Sequence, residues 1–155
     1  MLNLNFIQIV PGIGNGCAAY LQGNWAYLKW PKEWSETDIL RDMTYLEIIP
    51  IALAIFLWLD RFQLKNILFY SDNVAVVSIL NSKSCKSERV MCIWRLYWSL
   101  IGNFQFKVKH IYSKNNMIAD ALSRANFQKC RQLAPIADIL PVPIPVEFWN
   151  LLKMK

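Results

Sequence analysis

Residues 65–71 read Lys-Asn-Ile-Leu-Phe-Tyr-Ser, a short apolar run that Asp72 follows directly. An unbroken run of this length is typical of a strand buried on both faces of a sheet, because a half-exposed strand would alternate polar and apolar residues. Both faces of such a sheet must be covered by other elements. The run therefore predicts an α/β fold in which a polar residue follows the end of a central strand.

Turn residues and hydrophobic periodicity assign the elements on either side of this run. Three strands are predicted upstream, at residues 5–10, 18–22 and 25–30, and Gly23-Asn24 joins the last two as a hairpin. A further strand is predicted at residues 104–111, and helices are predicted at 44–62, 73–81, 87–101 and 115–129. The order β-β-β-α-β-α-α-β-α predicts a mixed sheet with helices on its faces. Pro50 is expected to kink the first helix.

Composition indicates one packed domain with an extended end. The chain has 155 residues, of which 55% are hydrophobic, enough for one sizeable core. Residues 1–132 are predicted to form this domain. Residues 133–155 are rich in proline and are predicted to be an extended tail without a helix. The residues available to anchor its end are Phe148, Trp149, Leu151 and Leu152.

Cysteine usage and hydropathy argue against a zinc site and a membrane protein. The four cysteines form no C-x-x-C pair, and His110 is the only histidine. The longest apolar run, residues 48–59, is shorter than the roughly 20 residues that a membrane span needs. No signal-peptide pattern opens the chain. We therefore expect an intracellular protein, in the cytoplasm or nucleus, with reduced thiols and no membrane association.

The net charge of +6 leaves two interpretations open, an anionic partner such as nucleic acid or a basic solvated surface. The spacing of Trp94, Tyr97 and Trp98 is more typical of a core stripe than of a base-stacking platform. The basic residues cluster in three groups, Lys83/Lys86/Arg89, Lys107/Lys109/Lys114 and Arg124/Lys129/Arg131.

Three carboxylates, Glu47, Asp72 and Asp120, occupy settings that suit a divalent-metal site built from distant elements. Glu47 and Asp72 each have an alternative structural role, whereas the position of Asp120 offers none. Glu47 can be the acidic partner of a capping box with Thr44. Asp72 can cap the helix that follows it. Asp120 is predicted inside a helix, where Asp is a poor helix former and no cap is needed.

The segments around these carboxylates carry a resemblance. Asn116-x-x-Ala-Asp120-Ala-Leu-Ser-Arg124, preceded by the strand at 108–111, resembles the end of the ribonuclease H domain of retroelement polyproteins. Residues 45–54 and 69–77 resemble the two middle motifs of that domain. The chain is most similar to the ribonuclease H-like domains of DIRS-type and gypsy-type retroelements, from about Phe6 to Trp149.

This resemblance implies a fold, an activity and a set of site residues. The implied fold is a five-stranded mixed sheet, its first three strands antiparallel, with helices on both faces. The implied activity is Mg²⁺-dependent cleavage of the RNA strand of an RNA–DNA hybrid, with Mn²⁺ as an alternative metal. Glu47, Asp72 and Asp120 would be the metal ligands, and His110 would assist catalysis or act only as a strand-end histidine. The implied contacts to nucleic acid are Asn73, Lys83, Lys86, Arg89, Lys114, Asn116 and Arg124.

The same family implies two partners, an RNA–DNA hybrid and the reverse transcriptase domain of the same element, with the chain itself expected to be a monomer.

One family feature is missing, because Val10 or Pro11 stands where the first strand carries an Asp. No Asp or Glu occurs before Glu33. We therefore expect a degenerate site with weak or no hydrolysis, or alternatively a non-catalytic nucleic-acid-binding or interaction module that keeps the fold. A third alternative is a degenerate fragment without a selected role.

Overall fold

The computed structural model describes residues 5–11, 16–62, 66–71, 74–82, 87–101, 105–112 and 117–153. The strands are β1 Asn5–Pro11, β2 Gly16–Leu21, β3 Asn24–Lys29, β4 Asn66–Ser71 and β5 Gln105–His110. The helices are α1 Met43–Phe62, α2 Val74–Ser82, α3 Glu88–Ile101, α4 Met117–Ser123, α5 Phe127–Leu133 and α6 Val146–Lys153. Two 3-10 segments, Lys32–Glu36 and Ile39–Arg41, lead from β3 into α1. The predicted order of elements is confirmed up to α4.

The five strands form one sheet in the order β3-β2-β1-β4-β5. β1 to β3 are antiparallel neighbours, whereas β1 pairs with β4, and β4 with β5, in parallel. The predicted hairpin is present, but its turn lies one residue earlier than Gly23-Asn24. The turn residues are Gln22 and Gly23, whose φ angles of 49° and 93° lie in the left-handed region that tight hairpins use. Because β1, β4 and β5 are parallel, all three finish at the same end of the sheet, which we call the carboxyl end.

Helices cover both faces of the sheet, as the alternation along β2 shows. Cys17, Ala19 and Leu21 belong to the larger core cluster with α1, while Ala18 packs in a smaller cluster with Ala121 and Leu122 of α4. Successive side chains of a strand point to opposite faces, so the two clusters lie on opposite sides of the sheet. The predicted α/β class is confirmed.

Helix α1 differs from expectation at its start and at its bend. The Asp42 side chain accepts from the Tyr45 backbone N–H at 3.1 Å, so Asp42, not Thr44, caps the helix. The predicted capping box is therefore wrong, because the helix begins one residue earlier, at Met43. The bend lies at Trp58 (φ −120°, ψ 20°) and not at Pro50, so the predicted kink is also wrong. Ile49 and Ile51, which flank Pro50, are buried.

The single helix predicted at residues 115–129 is wrong, because the chain breaks between α4 and α5. Ala125 adopts a left-handed φ of 55°, which a continuous helix cannot contain. Asn126 then starts α5, since its side chain accepts from the Lys129 backbone N–H at 3.2 Å. Asp120 consequently lies in the first turn of a short helix and not in a long helix interior.

The proline-rich tail also differs from expectation, because residues 146–153 form the helix α6. Pro145 directly precedes this helix, at a position where its missing N–H costs nothing. The predicted anchoring is confirmed for two residues, since Phe148 and Leu152 are buried in the larger core. The ring of Phe148 lies 5.7 Å from that of Phe56 in α1, so α6 packs on α1.

Between α5 and α6, the tail runs along β3. The backbone N–H of Asp138 donates to the Gly23 carbonyl at 2.9 Å, and that of Val142 donates to the Trp25 carbonyl at 2.8 Å. The Trp25 indole donates to the Asp138 carbonyl at 2.7 Å. We call residues 134–153 the C-terminal strap, because they begin in the smaller core cluster, follow β3 and finish in the larger one. The domain boundary at residue 132 stays a prediction.

At the other side of the sheet, the Asn81 side chain bonds to the backbone of β5. Its amide donates to the Val108 carbonyl at 2.8 Å, and its oxygen accepts from the Val108 N–H at 3.0 Å. We predict that Asn81→Ala lowers the free energy of unfolding by about 1–2 kcal/mol, because both Val108 groups lose their partner. The neighbouring exposed Ser82→Ala variant should change it by less than about 0.5 kcal/mol. Chemical denaturation measures both, and equal losses would contradict the prediction.

Candidate active site

The carboxyl end of the sheet brings the middle motif next to the only histidine. Ser71, the last residue of β4, is buried and pairs with His110, the last residue of β5. The backbone N–H of Ile111 donates to the Ser71 carbonyl at 2.9 Å and extends this pairing by one residue. Asp72 follows Ser71 in the sequence, but it lies outside the described residues, as does Asn73. Open α/β sheets place their sites at this end.

Glu47 lies in the early part of α1, a helix that packs against β1, β2 and β4. Its side chain is buried, with an exposed fraction of 7% for the residue. A buried carboxylate is costly unless hydrogen bonds, an opposite charge or a metal compensates it. Because Asp42 caps the helix instead, the capping role that competed with a ligand role for Glu47 no longer explains this residue.

Asp120 is held by a neighbour on its own helix. The Arg124 Nε lies 3.1 Å from the Asp120 carboxylate, an i to i+4 pair, and the Asp120 side chain is 39% exposed. The acidic side chain also lies in the first turn of α4, where the helix dipole favours a negative charge. A metal would therefore have to compete with Arg124 for the carboxylate oxygens of Asp120.

His110 is exposed, and its ring meets Tyr112 edge to face at 5.3 Å between centroids. Tyr112 is itself 65% exposed. Both residues therefore stand at the carboxyl end of the sheet, open to a large ligand. The sequence analysis did not include Tyr112 among the candidate site residues. Its position, two residues after the histidine that ends a strand, was the available signal that it could lie near the site.

The first strand brings no carboxylate to this end. Val10 pairs with Ala18 and Pro11 with Cys17, so both belong to the ordered strand pairing of β1 and β2. The β1–β4 register pairs Gln8 with Tyr70. Val10 comes two positions after Gln8 in β1, and Asp72 comes two positions after Tyr70 in the sequence. Strand β1 thus has an aliphatic residue, and not an acidic one, at this position.

Only part of the predicted nucleic-acid contacts fall on described residues. Lys83, Lys86, Lys114 and Asn116 lie outside them. Arg89 at the start of α3 donates to Asp38 at 2.8 Å and to Asp42 at 3.1 Å, and its guanidinium lies 5.7 Å from the Tyr45 ring centroid. Burial raises the pKa of Tyr45 to about 12. The two carboxylates compensate the charge of Arg89, so its main role in the fold is to tie α3 to the start of α1.

The described residues contain neither a complete group of metal ligands nor a membrane span. In that part of the chain, no three His, Cys, Asp or Glu side chains form a group able to hold a metal ion, and Glu47, Asp120 and His110 do not form one by themselves. None of its helices has the length and hydropathy of a membrane span.

These features together define the class. A five-stranded sheet with β1 in its centre, a buried acidic residue on the first helix and an acidic residue on a helix after β5 are the features of a ribonuclease H-like fold. The comparisons agree. A family model described as reverse transcriptase-like matches residues 55–126, a range that includes Asp72 and Asp120 but not Glu47.

A solved structure is similar over most of its length. The ribonuclease H1 of the halophilic archaeon Halobacterium salinarum NRC-1 has a TM-score of 0.55 and 13% sequence identity, covering 81% of this chain and 96% of that one. No curated protein matches the sequence significantly. The chain therefore has a ribonuclease H-like fold, which confirms the ribonuclease H-like part of the resemblance inferred from its motifs.

Proposed function

We propose that this chain is a ribonuclease H-type domain of a retroelement that binds RNA–DNA hybrids and has weak or no hydrolytic activity. The observation that carries the proposal is the composition of the carboxyl end of the sheet. It combines Ser71, followed in sequence by Asp72, with His110 beside it, yet β1 ends there in Val10 and Pro11. The family motifs support the nucleic-acid partner, and the missing first-strand carboxylate supports the loss of activity.

The donor set suits one Mg²⁺ better than two. Mg²⁺ takes oxygen ligands, which Glu47, Asp72 and Asp120 would supply, and Mn²⁺ is an alternative with similar preferences. Two ions about 3.5–4 Å apart repel each other strongly and need carboxylates between them. Without a first-strand carboxylate, this repulsion is less compensated. The ion would polarise a phosphate oxygen and lower the pKa of a bound water.

A metal titration tests this ligand set without any activity assay. We predict that Mg²⁺ at ten times its dissociation constant stabilises the wild-type protein by about 1.4 kcal/mol, because binding only the folded state shifts unfolding by mass action. Glu47→Gln should remove most of this gain, whereas Glu33→Gln, an exposed residue in the 3-10 segment after β3, should keep it. Thermal unfolding at several Mg²⁺ concentrations measures both. Equal stabilisation of all three proteins would remove Glu47 from the ligand set.

A binding and cleavage assay on one labelled substrate tests the function itself. We expect purified protein to bind an RNA–DNA hybrid of about 20 base pairs, to lose affinity as salt rises, and to leave the RNA strand essentially intact with Mg²⁺. Efficient Mg²⁺-dependent cleavage that Asp72→Asn abolishes would show an intact enzyme and overturn the degenerate site. Absence of any hybrid binding would overturn the nucleic-acid function.

The second candidate is a non-catalytic nucleic-acid-binding or interaction module. Hybrid binding without cleavage, unaffected by Asp72→Asn or Glu47→Gln, would favour it. The Arg124–Asp120 ion pair supports this candidate, because it gives one of the three acidic residues a partner other than metal. The reverse transcriptase domain of the same element as a partner, and a monomeric chain, belong to the proposal through the family resemblance.

A further inference from the structure

The face of the sheet opposite α1 is basic where it crosses β4 and β5. Phe69 and Val108 pair across these strands and both lie in the larger core, on the α1 face. Because side chains alternate along a strand, Tyr70, Lys107 and Lys109 lie on the opposite face. Lys107 and Lys109 are exposed and Tyr70 is half-buried. We call these three residues the β4–β5 face.

The two lysines differ in their surroundings from three of the six arginines of this chain. Arg89, Arg95 and Arg124 each pair with a carboxylate. Among the residues that the structure describes, no ion pair includes Lys107 or Lys109. Their positive charge is therefore not compensated by a described carboxylate and is available to an anionic partner.

The geometry of the β4–β5 face matches a single strand of nucleic acid. Residues two apart in a strand are about 7 Å apart, and successive phosphates of one nucleic-acid strand advance by about 3.4 Å along the helix axis. Lys107 and Lys109 are therefore about two phosphate steps apart, and each can neutralise one phosphate of the same strand. Tyr70 pairs with Lys109 in register and adds an aromatic ring beside this row. The row runs along β5 towards the carboxyl end of the sheet, where this strand ends at His110.

We propose that the β4–β5 face is a nucleic-acid contact in its own right, which guides the phosphate backbone of one strand towards the candidate site. The inference rests on the proposed function, since it assumes that the chain binds nucleic acid. It goes beyond it by naming a surface on the sheet itself, away from the helical segments 83–89 and 114–124 that the family resemblance implicates. Charge complementarity and spacing select a polyanionic strand over an apolar partner.

The test compares two variants with the same change in charge. The face variant carries Lys107→Glu and Lys109→Glu, and the control carries Lys32→Glu and Lys129→Glu. The control positions are exposed, and they lie on the 3-10 segment that follows β3 and on α5, whereas β5 is at the opposite edge of the sheet from β3. Fluorescence anisotropy with a labelled hybrid and with a labelled single strand, each at five salt concentrations, gives affinities and salt slopes.

We expect the face variant to bind about ten-fold or more weakly than the control and to lose about 1.4–1.8 from the magnitude of its salt slope, as two lost phosphate contacts require. If the face variant and the control bind equally, while the wild type binds well, this inference is overturned and the proposed function stands. If the wild type binds neither probe, both are overturned. Should the face variant fail to fold, Lys107→Gln with Lys109→Gln gives the same comparison against Lys32→Gln with Lys129→Gln.

Discussion

Replacing Val10 by Asp is expected to raise Mg²⁺-dependent cleavage of an RNA–DNA hybrid by roughly two orders of magnitude. Val10 belongs to β1, two residues beyond Gln8, whose partner in β4 is Tyr70. A carboxylate at this position restores a negative charge between two dications, and preorganised charge of this kind contributes several kcal/mol to transition-state stabilisation. A gel assay with end-labelled RNA measures the rate, with the wild-type protein as the baseline.

Two control variants make the gain interpretable. Val10→Asn has nearly the same shape as Val10→Asp but no charge, and it should leave the rate at the baseline. Combining Val10→Asp with Asp72→Asn should return the rate to the baseline, because the restored site would lose a second ligand. Pro11→Asp covers the neighbouring position. If both single Asp variants fold and neither cleaves faster, the missing carboxylate does not limit catalysis.

Replacing Phe148 by Ala is expected to lower the free energy of unfolding by about 3–5 kcal/mol, the usual cost of removing a large aromatic side chain from a core. Phe148 is 0% exposed and packs on Phe56, although it lies in a tail that was predicted to be extended and without a helix. For a chain of this size, the loss corresponds to a fall of about 6–20 °C in melting temperature. Thermal and chemical unfolding measure it.

The matched control for this variant lies in the same strap. Ile136 is 86% exposed, so Ile136→Ala should change the free energy of unfolding by less than about 0.5 kcal/mol. Truncation after Leu140 should be at least as destabilising as Phe148→Ala, since it removes Leu152 as well. A Phe148→Ala variant as stable as Ile136→Ala would mean that α6 does not belong to the core.

The main lines of the fold were accessible from the sequence because they rest on local patterns. The apolar run that ends at Ser71 and the period of the helices fix the order of the elements and the α/β class. The break at Ala125 was missed because no residue signals a left-handed alanine. Asp42 and Thr44 are both good N-caps, so local preference could not choose between them. Helix α6 depends on contacts with Phe56, which lies 92 residues earlier (148 − 56), and no local pattern reveals such contacts.

For the candidate site too, local patterns were accessible from the sequence, whereas contacts between distant residues were not. Motif order predicted Glu47, Asp72 and Asp120 as a set, which stays a prediction. The Asp120–Arg124 pair follows an i to i+4 spacing of opposite charges. The pairing of Arg89 with Asp42 joins residues 47 positions apart, so no local pattern could reveal it, and the nucleic-acid contact predicted for Arg89 stays a prediction. Burial of Glu47 could be anticipated from its apolar neighbours, but only the structure shows that Asp42 takes over the capping role.

The two outer strands have a further consequence for how this chain meets other molecules. Outward-facing backbone groups of β3 are occupied by the C-terminal strap, at Gly23 and Trp25, and those of Val108 in β5 by the Asn81 side chain. At these positions a foreign segment cannot extend the sheet by strand addition, and two copies cannot join edge to edge into a cross-β aggregate. A partner that adds a strand at these positions would first have to displace the strap or the Asn81 side chain.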